Sequence, residues 1–284
     1  MITVVQAPAF ATIQDQGWSN LRGAGMPVSG AMDHWALAAA NRMIGNPADA
    51  AGIEWALSAG HLRVDQRATV AICGPGLEVV HVLQPGQDLE LPRPASGRFL
   101  YLAVAGGFDV PVTLGSRSTY HPAGLGRVIK TGDHLPVGTL PVTKPIAPAG
   151  KPDYGTGVVR VVEGPQHSLF SDFEWKRFLE SDWKVARASD RMGYRLEGEV
   201  ALKAPAAYLP SEATCVGAIQ VPPDGFPIVL MADGPTVGGY PKIAVVITAD
   251  LPIVAQKQPG AGVRFTKTTV EEAQRSLKSA IRDE

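Results

Sequence analysis

Between residues 189 and 242 the chain concentrates ionisable and hydroxyl side chains in otherwise apolar, β-branched sequence. SDRMGYRLEG carries Arg191, Tyr194 and Arg195. GAIQVPPDGFPIVLMADG carries Gln220 and Asp233, and PTVGGYPK carries Thr236, Tyr240 and Lys242 around Gly238 and Gly239. A single long charged side chain beside a strand ordinarily points to solvent or pairs with a neighbour. As a set these residues have a shared use. Arg191 and Lys242 could hold a carboxylate or an oxyanion, arginine with a two-pronged grip and lysine as a point charge. Asp233 could take a proton or orient water, and the two glycines allow backbone amides to approach a ligand closely.

Two smaller groups lie in the first half. GAMDHW places Asp33 in the first turn of a helix, where its plain role is to favour the helix dipole. GSRSTYHPAG sets Arg117 and Ser118 in a glycine-bounded loop that suits either an anion or a turn held by Ser and Arg. Other chemistries find no support. The chain has no phosphate-binding loop of the G-x-x-x-x-G-K-[ST] type, no nucleophile elbow and no paired histidine motif among its six histidines, so no metal is expected.

The scaffold that must position these groups is read from 31 Gly and 24 Pro punctuating short β-rich runs such as ATVAICGPG, LYLAVAGG, GVVRVVEGP and IAVVIT. That pattern predicts a mainly β fold of barrels or sandwiches with a few helices (α+β), and argues against a doubly wound parallel sheet. Helices are predicted over residues 31–44, with Leu37, Ala40, Met43 and Ile44 on one face and Gly45 as the stop, and over 171–180. A third starts at Thr269, where Thr269 and Glu272 form a capping box ahead of Val270, Ala273, Leu277 and Ile281. PVTKPIAPAGKPDYGTG, residues 141–157, reads as a linker between domains at 1–145 and 158–284. The opening ITVVQAP is echoed by VRVVEGP at 159–165, a short hint of duplication.

Composition bounds the partners. With 284 residues, 45% hydrophobic content and a formal charge of −1, the chain offers no basic field for nucleic acid or anionic membrane. No apolar run reaches membrane-spanning length, and a cytoplasmic protein is expected. Cys73 and Cys215, both in apolar surroundings, read as buried free thiols.

Six stretches together carry a resemblance: GAMD, AANRMIGN, AVAGGFDVPVTLGSRST, SDRMGYRLEG, GAIQVPPDG and ADGPTVGGYPKIA. They resemble, in order and from about Val5 to Phe265, the KipA family, of biotin-dependent carboxyltransferase type, whose members are also called allophanate hydrolase subunit 2 and the C subunit of 5-oxoprolinase. The resemblance implies two β-barrel-like subdomains, the second cyclophilin-like. It implies an enzyme subunit, inactive alone, that works with a KipI-like subunit and a LamB/YcsF-like subunit to hydrolyse 5-oxoproline to glutamate. ATP would be used, held by this chain or by a partner. Two alternatives stay open: a carboxyltransferase component served by biotin on a separate carrier, and a non-enzymatic regulator that sequesters a KipI-like inhibitor of a histidine kinase. No A-M-K-M biotinylation site occurs, so a free-standing subunit is expected. Under this resemblance Asp233, Lys242 and Arg191 are the catalytic candidates. Tyr194, Gln220, Thr236, Gly238, Gly239, Tyr240, Arg117, Ser118 and Asp33 are the substrate-binding candidates. Val237 stands where relatives carry a hydroxyl, and the loop at 123–127 is shorter than theirs.

Overall fold

The computed structural model describes residues 1–205 and 209–282, with side chains to Ser279. The chain divides into two compact units, residues 1–19 with 29–151, and residues 20–28 with 152–284. Residues 20–28 are thus a short arm of the second unit inserted in the sequence of the first, and nothing in their composition sets them apart.

The first unit contains strands β1 (Ile2–Gln6), β2 (Thr12–Gln14), β3 (Gly52–Ala56), β4 (Gly60–Val64), β5 (Ala68–Gly74), β6 (Leu77–Leu83), β7 (Asp88–Leu91), β8 (Phe99–Val104) and β9 (His134–Leu135), and helix α1 (His34–Arg42). They form a four-stranded sheet in the order β7-β4-β1-β9 and a five-stranded sheet in the order β2-β3-β8-β5-β6. Alternating apolar side chains of both sheets, among them Val4, Leu62 and Leu91 from one and Ile13, Trp55, Ile72 and Leu102 from the other, share one core. Each such fully buried aliphatic side chain contributes about 1.5–3 kcal/mol. Helix α1 packs Ala36, Leu37, Ala39 and Ala40 inward, against β3, β5 and β8. It is shorter than the predicted 31–44. Asp33 caps it from outside, and Gly45, at φ 78°, donates its N–H to Arg42 O (3.1 Å) to close the far end.

Residues 141–157 contain no strand or helix, yet the part up to Lys151 is tied down. Thr143 N–H donates to Gly45 O (2.8 Å), Ile146 N–H to Arg42 O (3.0 Å) and Trp35 Nε1 to Ala149 O (2.7 Å). The absence of apolar periodicity that marks a linker is here satisfied by backbone hydrogen bonds to the end of a helix.

The second unit contains β10 (Val158–Glu163), α2 (Asp172–Glu180), β11 (Trp183–Val185), β12 (Gly193–Glu197), β13 (Glu212–Ala213), β14 (Ala218–Gln220), β15 (Ile228–Leu230), β16 (Val237–Gly238), β17 (Lys242–Val246), α3 (Leu251–Ala255), β18 (Gly262–Lys267) and α4 (Val270–Arg282). Seven strands close a barrel in the order β10-β17-β14-β15-β12-β11-β18, with β10 and β18 parallel, while β13 and β16 form a separate two-stranded ribbon. The mainly β reading with a few helices is borne out. Ser171 caps α2, and the Thr269–Glu272 capping box is present (Glu272 N to Thr269 Oγ1 3.1 Å; Thr269 N to Glu272 Oε2 3.2 Å). The side chain of Ile281, expected on the buried face of α4, lies outside the described residues. Helix α3 is too short for its periodicity to register in the sequence.

Cysteine placement corrects one expectation. Both thiols are free, and Cys73 is buried, but Cys215 is exposed, because it falls in the loop between β13 and β14 rather than on a barrel strand. No helix among the described residues is long and apolar enough to cross a membrane.

Candidate active site

Lys242 opens β17 directly after Pro241 and lies opposite Gln220 of β14, at a point where the pairing register shifts. Such irregularities turn side chains out of the regular alternation. Every residue of β17 but Val245 is buried, and the lysine side chain is only 3% exposed. An ammonium so desolvated needs an anion and hydrogen-bond acceptors. Glu212 of the ribbon supplies them, its Oε1 lying 2.5 Å from Lys242 Nζ. Gln166, in the turn after β10, donates its Nε2 to the same oxygen at 2.5 Å. It also brackets the lysine backbone, accepting from Lys242 N–H (3.1 Å) and donating its own N–H to Lys242 O (3.3 Å). The hydrogen bond from Lys242 is the main reason the Glu212 carboxyl is held below the usual range, although that side chain is 44% exposed.

Gln220 completes this group. The residue is 5% exposed and its Nε2 has no hydrogen-bond partner among the described residues. The ribbon passes directly over it: a Cβ on Gly238 would stand 2.5 Å from Gln220 Nε2, so a larger residue there would have to push the amide aside. Gly238 is in turn the cross-strand partner of Glu212. Gly239, Tyr240 and Val237 are exposed and border the cluster on the solvent side.

Arg191 and Asp233 form a second group. The guanidinium grips the carboxylate with both prongs, Nε to Oδ2 at 2.9 Å and Nη2 to Oδ1 at 3.0 Å, and Asp233 N–H donates to Arg191 O (2.9 Å). Asp233 is buried, so this fork fixes its orientation and offsets its charge. Thr236 O accepts from Thr214 N–H (3.0 Å), and the Thr214 hydroxyl donates to Pro235 O. Arg22, from the inserted arm, clamps the same corner, its Nη2 donating to Thr214 O and Oγ1 (3.0 Å each) and to Pro235 O (3.3 Å). Tyr194, by contrast, is fully buried in the barrel with its hydroxyl on Ala255 O (2.7 Å), and Arg195 is exposed on the outer surface.

The first-unit candidates have internal partners. Asp33 caps α1 through Ala36 N–H (2.9 Å) and donates its own N–H to Tyr101 Oη (2.8 Å), which donates to Glu54 Oε2 (2.7 Å). Burial, then the neighbouring Glu54, pushes the Tyr101 phenol well above its ordinary value. Arg117 and Ser118 surround a carboxylate from the chain itself, that of Asp15. Ser116 Oγ (2.5 Å), Ser118 Oγ (2.6 Å) and Gly17 N–H (2.8 Å) donate to Asp15 Oδ1, and Arg117 N–H donates to Oδ2 (2.6 Å). The Arg117 guanidinium instead reaches Val110 O (3.0 Å) and Asp109 (3.5 Å).

The structure thus brings Lys242, Gln220 and Gly238 together in the second unit, pairs Arg191 with Asp233, and places Tyr194, Asp33, Arg117 and Ser118 in internal networks. Glu212, Gln166, Arg22 and Asp15 went unnoticed in the sequence. Only Gln166 had a local signal, the turn after the GVVRVVEGP strand.

Comparison with known proteins agrees with this architecture. The chain is 35% identical to the 5-oxoprolinase C subunit of Escherichia coli (strain K12), with 96% of this chain and 93% of the relative covered. It is 36% identical, at the same coverage of both chains, to the 5-oxoprolinase C subunit of Haemophilus influenzae. Among solved structures, Kluyveromyces lactis urea carboxylase superposes with a TM-score of 0.86 at 27% identity; all of this chain is covered, but only 29% of that one. The carboxyltransferase domain family, subdomain A and B, matches residues 24–267, and the chain belongs to that family.

Proposed function

We propose that this chain is the C subunit of an ATP-dependent 5-oxoprolinase, hydrolysing 5-oxo-L-proline to L-glutamate together with a KipI-like and a LamB/YcsF-like subunit in the cytoplasm. The observation that carries the reading is the 35% identity to the E. coli protein over nearly the whole of both chains. A lactam is a stable amide. Phosphorylation of its oxygen by the co-substrate ATP makes the ring carbon open to attack by water; the C–N bond then breaks, the nitrogen leaving as the amine, and a second water releases phosphate from the resulting acyl phosphate to give the new carboxylate. No phosphate-binding loop is present, so no nucleotide contact is assigned to this chain, and its contribution is confined to its own side chains. Lys242 supplies the positive charge that offsets an anionic group of the substrate, and Gln220 supplies a donor beside it. Asp233 takes a proton or orients water, and Arg191 acts by holding Asp233 in place.

The test is ATP-dependent glutamate release from 5-oxoproline by the three co-expressed chains, each omitted in turn. Activity that requires all three is the expected result; a well-folded complex without activity removes the reading. The similarity to urea carboxylase favours a second reading, carboxyl transfer from biotin on a separate carrier. Turnover that depends on a biotinylated carrier protein would select it.

A further inference from the structure

Glu212 is bound in the way a ligand would be. Two donors, Lys242 Nζ and Gln166 Nε2, converge at 2.5 Å on one of its oxygens. One of these donors belongs to a lysine whose side chain is 3% exposed, whereas the glutamate side chain is 44% exposed and stands on a strand of two residues outside the barrel. The positive charge is therefore buried, while the anion that fills it is a partly exposed side chain on a ribbon outside the barrel. The ribbon also carries Gly238, directly across from Glu212, pressed onto the unspent Nε2 of Gln220.

We infer that Lys242 and Gln166 form a carboxylate subsite in which Glu212 is a built-in competitor, displaced by a small acid that also presents a carbonyl oxygen to Gln220. This rests on the reading of the Lys242 cluster as the substrate site, and deepens it by naming the ligand class and the group it must displace. Removing Glu212 leaves a buried ammonium without its counter-ion, and an incoming carboxylate restores the pair. An intramolecular competitor therefore weakens carboxylate binding without touching the lactam ring.

Calorimetric titration of the full chain tests this with three probes: 5-oxo-L-proline, acetate, and 2-pyrrolidinone, which has the lactam but no carboxylate. In Glu212→Ala both carboxylates bind about tenfold more tightly than in the wild type, and 2-pyrrolidinone is unchanged. Glu212→Gln, which keeps the shape and loses the charge, shifts in the same direction, and adding Lys242→Ala removes the gain. Unchanged, weaker or undetectable carboxylate binding in Glu212→Ala overturns the inference. If acetate gains but 5-oxoproline binds no better than acetate, the subsite stands and the lactam-acid reading of the substrate falls.

Discussion

Each half of the molecule encloses one of its own carboxylates, Asp15 in the first unit and Glu212 in the second, but the two are held by different means. Asp15 has a short stem, and its donors are two serine hydroxyls and two backbone N–H groups, all neutral and all fixed by the fold. Its own N–H returns a bond to Ser118 Oγ (3.0 Å). Donors and acceptor are matched, and an external anion would have to replace several short bonds at once. Glu212 is held by a buried ammonium and a side-chain amide, with a further buried donor beside it, Gln220 Nε2, that has no partner among the described residues. A polar cluster whose groups are all satisfied among themselves rigidifies the chain. One that combines a buried charge with an unsatisfied donor is prepared for something else.

The largest effect that would sharpen this contrast is expected at Lys242. In Lys242→Ala, turnover by the assembled complex falls about 10²–10³-fold, as for loss of one preorganised charge-stabilising donor. The variant chain still co-purifies with its partners. Steady-state glutamate release and gel filtration check both halves, and wild-type turnover removes Lys242 from the mechanism.

Asp15 should behave in the opposite way. Asp15→Ala strands buried Ser116 and Ser118 without their acceptor and costs about 3 kcal/mol of stability, read as a lowered midpoint in urea unfolding, with activity per folded molecule retained. If Asp15→Ala instead abolished activity at unchanged stability, the two regions would have exchanged roles.

This division explains what could be read in advance. Lys242, Gln220 and Gly238 were recognisable because they lie within one short span of sequence, on β14, β16 and β17, where glycines and polar residues interrupt β-branched runs. Their other partners arrive through closure of the barrel and the fold-back of the chain. Gln166 is 76 residues from Lys242, and Glu212 is 30 residues from it. Asp15 lies 101 to 103 residues from the serines it binds. No local pattern encodes such pairings, nor the transfer of residues 20–28, with Arg22, to the second unit. Arg117 and Ser118 were ambiguous for the same reason: a loop rich in Ser and Arg looks identical whether its anion comes from solvent or from a distant aspartate. Helix caps, by contrast, depend on residues three apart, and the Thr269–Glu272 box was readable for that reason.

The smallest effect concerns the thiols, one in each unit. Burial pushes the Cys73 thiol far up, and its side chain lies within the five-stranded sheet, so a neutral alkylating reagent reaches it only after unfolding. Cys215 is exposed beside Thr214; partial burial of its sulfur raises its pKa, while the charges of Arg22 and Lys242 act against that rise. Because the raised pKa leaves little thiolate at neutral pH, labelling of Cys215 is slow there and accelerates as pH increases. Mass spectrometry of the native chain treated with iodoacetamide should show one adduct, at Cys215, and two adducts in denaturant. In Glu212→Ala more of the Lys242 charge is left to favour the Cys215 thiolate, and labelling speeds up by no more than about twofold, the small change expected of a partly screened charge. Equal labelling of both cysteines in the native chain would mean that the first unit is not the sealed region its matched hydrogen bonds describe. Labelling of Cys215 that ignores Glu212→Ala would place the sulfur outside the reach of the Lys242 cluster.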